Sequence, residues 1–103
     1  MGKRKVKFMY VTKNGNPEKH SMVVPSPEHI EMNIVAVKDI KQAEEVVKKL
    51  VAGGTNIIEL CGGFGHQGVA KIVKAVQGNA KIGVVRFDCH PALDGNSGDD
   101  IYL

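Results

Sequence analysis

The sequence predicts a small open α/β sandwich: a mostly parallel, four-stranded sheet with helices on both faces, in the order β-α-β-α-β-α-β. Short apolar runs alternate along the chain with segments of helical periodicity. Such alternation implies parallel strands joined by right-handed crossovers. The strand-like runs are apolar at successive positions, as in a sheet covered on both faces. The length of 103 residues fits one domain. It holds too few strands for a closed barrel of about eight, unless two subunits share one.

Each element has a local reason. Lys5–Thr12, KVKFMYVT, alternates and then turns apolar, the pattern of a strand. Asn14-Gly15 marks a turn. Asn16-Pro17-Glu18 offers an N-cap, a proline for the first helical position and an acid for the first turn, which predicts a short helix from Pro17 to about Val23. Pro25 and Pro27 would stop it. Ile30–Lys38 is the second expected strand. Asp39 then caps a helix whose Ile40, Ala43, Val46, Val47, Leu50 and Val51 share one face. Gly53-Gly54 ends it. Asn56–Gly62 is the third strand. A helix follows from His66 or Gln67, with Val69, Ile72, Val73 and Val76 on one face and Gly78 beyond its end. Lys81–Asp88 is the fourth strand. Residues 1–91 form the expected domain, and 92–103 are a tail docked on it or on a neighbouring subunit.

Charged residues make up 24% of the chain and hydrophobic ones 43%, an ordinary globular balance. Tryptophan is absent. The core should be aliphatic and thin, and homo-oligomerisation would bury one more face. The net charge of +3 does not indicate a nucleic-acid partner. Lys3, Arg4, Lys5, Lys7 and Lys13 make a basic start, read as a solvated lead-in that protects a strand edge. The two cysteines, Cys61 and Cys89, are too few for a disulfide scaffold. Neither a signal peptide nor a membrane span is read from the sequence. The expected setting is the cytoplasm, with both thiols free.

The densest chemical signal is IELCGGFGHQG, Ile58–Gly68. Ligands of open α/β sheets sit beyond the carboxyl ends of the strands, where Gly62-Gly63-Phe64-Gly65 falls. A helix opening near His66 would offer unpaired N–H groups and partial positive charge there. Glycine lets an anion approach such a backbone closely. Gly63-Phe64-Gly65-His66-Gln67-Gly68 also fits G-x-G-x-x-G, with Asp88 as the acidic residue of a dinucleotide fingerprint. The second nucleotide-binding half is missing, which favours a smaller anion. The alternative is purely structural: glycines for a sharp turn and close packing.

Glu59 and Arg86 lie inside apolar runs and each needs a partner. They could pair across adjacent strands, or line a cleft where Arg86 binds an anion and Glu59 acts as acid or base. Asp88 shares a face with Arg86. Cys61, His66, Cys89 and His90 cluster near the strand ends in sequence, but without metal-site spacing, so no metal is assigned. Cys61 before a helix N-terminus could be an activated thiol. His20 and His29 read as surface residues. Asp94–Asp99 lacks the glycine and glutamate of a calcium loop.

IELCGGFG, GVAKIVKAV and GVVRFDCHP resemble the signature strings of a family of short bacterial proteins of unknown function. The resemblance runs from the first strand to Pro91. It implies a stand-alone domain and brings no activity or cofactor with it. The leading expectation is a binder of a small phosphate- or carboxylate-bearing ligand at Gly62, Gly63, Phe64, Gly65, His66 and Arg86. One alternative is a small enzyme using Glu59, Asp88, His66 or His90 for proton transfer, or Cys61 as a nucleophile. The other is a homo-oligomeric assembly subunit without a ligand.

Overall fold

The computed structural model describes residues 4–25 and 30–103. Lys3, Pro27 and His29 lie outside the described residues. Five strands form one sheet: β1 (Arg4–Val11), β2 (Ser21–Val24), β3 (Ile30–Val37), β4 (Ile57–Leu60) and β5 (Lys81–Val84). Their order is β2-β3-β1-β4-β5. β3, β1, β4 and β5 run parallel, and β2 is antiparallel to β3. Helices α1 (Ile40–Ala52) and α2 (His66–Val76) join β3 to β4 and β4 to β5. A 3-10 turn at Pro91–Leu93 and a short helix α3 (Gly98–Tyr102) end the chain.

The α/β class holds, but the sheet is mixed and has a fifth strand where a helix was expected. The Asn16 cap does form: its Oδ1 accepts from the N–H groups of Glu18 and Lys19 at 2.9 and 3.0 Å. One turn follows, closed by His20 N–H on the Asn16 carbonyl at 2.8 Å. The His20 carbonyl then accepts from Ala36 N–H at 2.9 Å. That bond leads Ser21–Val24 along β3, with Ser21 opposite Val35 and Val24 opposite Met32. A helix this short is marginal alone, and the β-branched pair Val23-Val24 suits a strand.

The helices also depart from expectation. Both crossovers, β3 to β4 and β4 to β5, step the same way across the sheet. Right-handed connections that step the same way put their helices on the same face. α1 and α2 accordingly pack on each other and on one side of the sheet. The core joins Met9, Val11, Val35, Val37, Ile58 and Leu60 from the strands to Ile40, Ala43, Val47, Ile72 and Val76 from the helices. Alternation along the strands sends Phe8, Tyr10, Met32 and Ile34 to the opposite face.

α1 begins where the sequence put it. Asp39 accepts from Gln42 N–H at 2.8 Å, and the Gln42 side chain accepts in return from Lys38 N–H at 2.9 Å. Lys5 of the basic start donates to the Gly53 carbonyl at the far end of α1, at 3.2 Å. A cation there complements the helix dipole.

Met9 is fully buried at the centre of the helix-covered face. Met9→Ala should lower the unfolding free energy by about 2–5 kcal/mol, whereas Val23→Ala, 70% exposed on β2, should change it by roughly 0.5 kcal/mol or less. Urea denaturation of the two variants checks the contrast.

Candidate functional site

The glycine loop sits at the carboxyl end of β4, as its position in sequence requires. Phe64 N–H bonds to the Cys61 carbonyl at 3.1 Å and closes the turn. The Cys61 sulfur accepts from Val11 N–H and Gly63 N–H, each at 3.4 Å. α2 begins at His66 with Gly65 as its N-cap, and Gly65 has no side chain to satisfy the first amides. Asp99 of α3 satisfies them instead. Its two carboxylate oxygens accept from Gln67 N–H and Gly68 N–H, both at 2.9 Å.

This contact explains the glycines. A Cβ on Gly65 would lie 2.6 Å from Ser97 Oγ and from Asp99 Cγ. A Cβ on Gly98 would collide with the Gly63 carbonyl oxygen, and one on Gly62 with the Phe87 ring. Gly62, Gly63, Phe64 and Gly65 are all buried. The loop is therefore not an open cradle. The dinucleotide reading is corrected on the same ground: an internal carboxylate takes the Gln67 and Gly68 donors that a pyrophosphate would need.

The open ground lies beside the loop. β5 ends at Val84, shorter than expected, because its partner β4 ends at Leu60; Val85 N–H makes the last bond, to the Leu60 carbonyl at 3.0 Å. The chain then runs past the N-terminus of α2. Arg86 Nε donates to Asp88 Oδ1 at 3.0 Å. Arg86 Nη2 lies 2.7 Å from His66 Nε2, and His66 Nε2 lies 3.2 Å from Asp88 Oδ1. All three side chains are exposed, at 61–63%. They border a cleft of about 100 Å³ whose walls are Phe64, Gly65, Val69, Val84, Val85 and Phe87.

The trio has two proton arrangements. Arg86 is always charged and can only donate. With neutral His66, Nε2 can accept from Arg86. With protonated His66, Nε2 donates to Asp88 and the histidine repels Arg86. The hydrogen bond from Arg86 holds the Asp88 carboxyl below its ordinary value; desolvation opposes this, and the positive charges of Arg86 and His66 add to it. A depressed folded pKa means the attraction is present above the ordinary carboxylate range and is lost as pH falls through the depressed value.

Other expected residues are placed elsewhere. Glu59 is exposed on the sheet face away from the helices, beside Gly83, and Arg86 pairs with Asp88 and His66 rather than with it. His90 is half-buried: its Nδ1 accepts from Ala92 N–H at 3.0 Å, and its ring packs on Phe87 at 4.7 Å. Cys61 is half-buried and Cys89 exposed, both free. Among the described residues, no three His, Cys, Asp or Glu side chains cluster as metal ligands would. No described helix is long and apolar enough to cross a membrane.

Two features escaped the sequence reading. Asp99 enters the sequence reading only as the end of a rejected calcium loop, although Ser97-x-x-Asp100 spells a capping box for α3 that the structure forms. Lys7 was counted only as part of the basic start. It lines a groove of about 540 Å³ beside α1, and burial lowers its pKa, with Glu31 opposing the shift and Lys5 adding to it.

Removing the guanidinium should free Asp88. Arg86→Ala should raise the Asp88 pKa back towards the ordinary carboxylate value, read from the side-chain carboxyl resonance in a nuclear magnetic resonance pH titration. An unchanged Asp88 pKa would show that Arg86 does not hold it.

No curated protein and no solved structure matches the chain. A family profile matches residues 4–100, which takes in every strand, both long helices, the glycine loop, the Arg86 trio and Asp99. The chain belongs to that family, DUF6506, a family of unknown function.

Proposed function

We propose that the protein binds a small ligand in which a phosphate or carboxylate group is joined to a short apolar part. The carrying observation is the cleft between α2 and the chain after β5, apolar on its walls and ending in Arg86. The guanidinium fork matches a carboxylate or phosphate and, unlike an ammonium, fixes its orientation. Asp88 engages Nε of that fork and presets it, which leaves N–H groups for a ligand. His66 Nε2 stands 2.7 Å from Arg86 Nη2 at the border of the same cleft, within reach of a group that Arg86 holds. Of the loop residues first considered, Phe64, Gly65 and His66 border this cleft.

A second reading has one observation in its favour. His66 and Asp88 stand 3.2 Å apart at the mouth of the cleft, a spacing suited to moving a proton to or from a bound molecule. Glu59, Cys61 and His90 are not among the cleft residues, so an acid–base enzyme here would rely on that pair.

The test is calorimetric titration with phenyl phosphate, hexanoate and inorganic phosphate. Phenyl phosphate should bind more tightly than inorganic phosphate. Arg86→Ala should weaken it by roughly tenfold or more, as expected for a charge-assisted pair worth about 1.5–3 kcal/mol. Arg86→Lys should restore only part. Binding by none of the probes, or binding indifferent to Arg86→Ala, would contradict the proposal.

A further inference from the structure

The helices leave one flank of their own side of the sheet open. β1 and β3 are joined by the Asn16 turn and β2, with no helix among the described residues between them. α1 packs on α2 along one flank and borders only that turn and β2 along the other. The gap is the groove of about 540 Å³ beside α1. Lys7 and Val35 form its floor, and Gln42, Glu45, Val46 and Lys49 of α1 form one wall. Glu18 and Ser21 stand on the other.

Lys7 carries a charge that its surroundings do not balance. Alternation points it to the helix side with Met9 and Val11, where it is half-buried. Asn33 is its register partner on β3. With the Asn33 amide oxygen turned to Lys7, that oxygen accepts from Nζ at 3.2 Å, and the amide nitrogen donates to the Met32 carbonyl at 3.0 Å. This bond supplies a dipole and no charge. Among the described residues, no carboxylate forms an ion pair with Lys7. Partial burial without a counter-charge disfavours the ammonium, and a ligand carboxylate would supply the missing charge.

The groove also carries its charges in order. α1 runs antiparallel to the strands, from Ile40 just after Val37 back to Ala52, next to the Gly53 carbonyl that Lys5 reaches. A strand rises roughly 3.3 Å per residue and a helix roughly 1.5 Å. Two residues of strand therefore match about four of helix, which sets Lys7 level with Lys49 and Val35 level with Glu45. Ser21 pairs with Val35, and Glu18 lies in the turn before it. One end of the groove is basic and the other acidic, about 7 Å apart. From Lys7 and this charge order, the geometry points to a second ligand site, for a short aliphatic chain with a carboxylate at one end and an ammonium at the other. Lys7, with Lys49 level with it, takes the carboxylate. Glu45 and Glu18 take the ammonium, and Val35, Val46 and Leu50 line the groove for the methylenes. The groove shares no residue with the Arg86 cleft, so the two proposals stand or fall separately.

The test is a titration of the wild-type protein with 6-aminohexanoate, hexanoate and hexylamine, followed by residue-resolved amide resonances. Val46 and Lys49 report on the groove, and Val69 and Val85 on the Arg86 cleft. At the groove, 6-aminohexanoate should bind roughly threefold or more tightly than either single-charge probe. Its binding should raise the Lys7 pKa, read from the side-chain Cε resonance. Lys7→Met keeps the aliphatic stem and should weaken 6-aminohexanoate on the order of tenfold, leaving the Arg86 cleft unaltered. Glu45 is exposed, so Glu45→Gln should keep the fold; it should weaken 6-aminohexanoate about threefold and leave hexanoate unaltered. No response at the groove, equal affinity for the three probes, or 6-aminohexanoate binding that neither variant weakens would overturn the inference.

Discussion

The carboxylate of Asp99 on the first free amides of α2 fixes the arrangement of the whole carboxyl end of the sheet. α2 starts at a glycine and cannot cap itself. The missing acceptor comes from the last turn of the chain, and α3 must come very close to deliver it. That approach requires the absence of a Cβ at Gly63's neighbour Gly98 and at Gly65. With α3 in place, the glycine loop is buried and Tyr102 packs against the core. The final residues thus belong to the domain's structure. The same closure leaves the flank of α2 open, where His66 meets the chain that leaves β5.

Much of this could be read from the sequence, and the failures have physical causes. α1 was legible at both ends because its signals are local: the Asp39 cap, the apolar face and Gly53-Gly54. α2 was legible for the same reason. The segment after Asn16 misled because its cap is real but governs one turn only. The outcome was decided by pairing with β3, a non-local contact that local signals do not carry. The placement of both helices on one face was in principle available, but it depends on strand order. With β1 inserted between β3 and β4, both crossovers step the same way. Strand order is set by long-range packing, which periodicity does not report.

The candidate site shows the same division. The glycine cluster correctly marked the carboxyl end of the sheet and the start of a helix. It could not reveal that an acidic side chain thirty residues on would fill the helix N-terminus. Glycine permits close approach by a ligand or by the protein's own backbone, and here the protein's own α3 makes the approach. Arg86, His66 and Asp88 were each noted, but Arg86 was offered Glu59 as a partner. The register sets Glu59 opposite Gly83, three residues before Arg86, and β5 ends at Val84. The fold therefore separates two chemistries that the sequence interleaves: a charged cleft at the end of the sheet, and an apolar face carrying Glu59 on its side.

The occupancy of the α2 N-terminus by Asp99 is most directly tested by hydrogen exchange at single amides. The account predicts that Gln67 and Gly68 exchange slowly in the wild-type protein and that Asp99→Ala speeds both markedly, while amides in the middle of α2 keep their protection. Fast exchange of Gln67 and Gly68 in the wild-type protein, or slow exchange that survives Asp99→Ala, would contradict it and return those donors to an external anion.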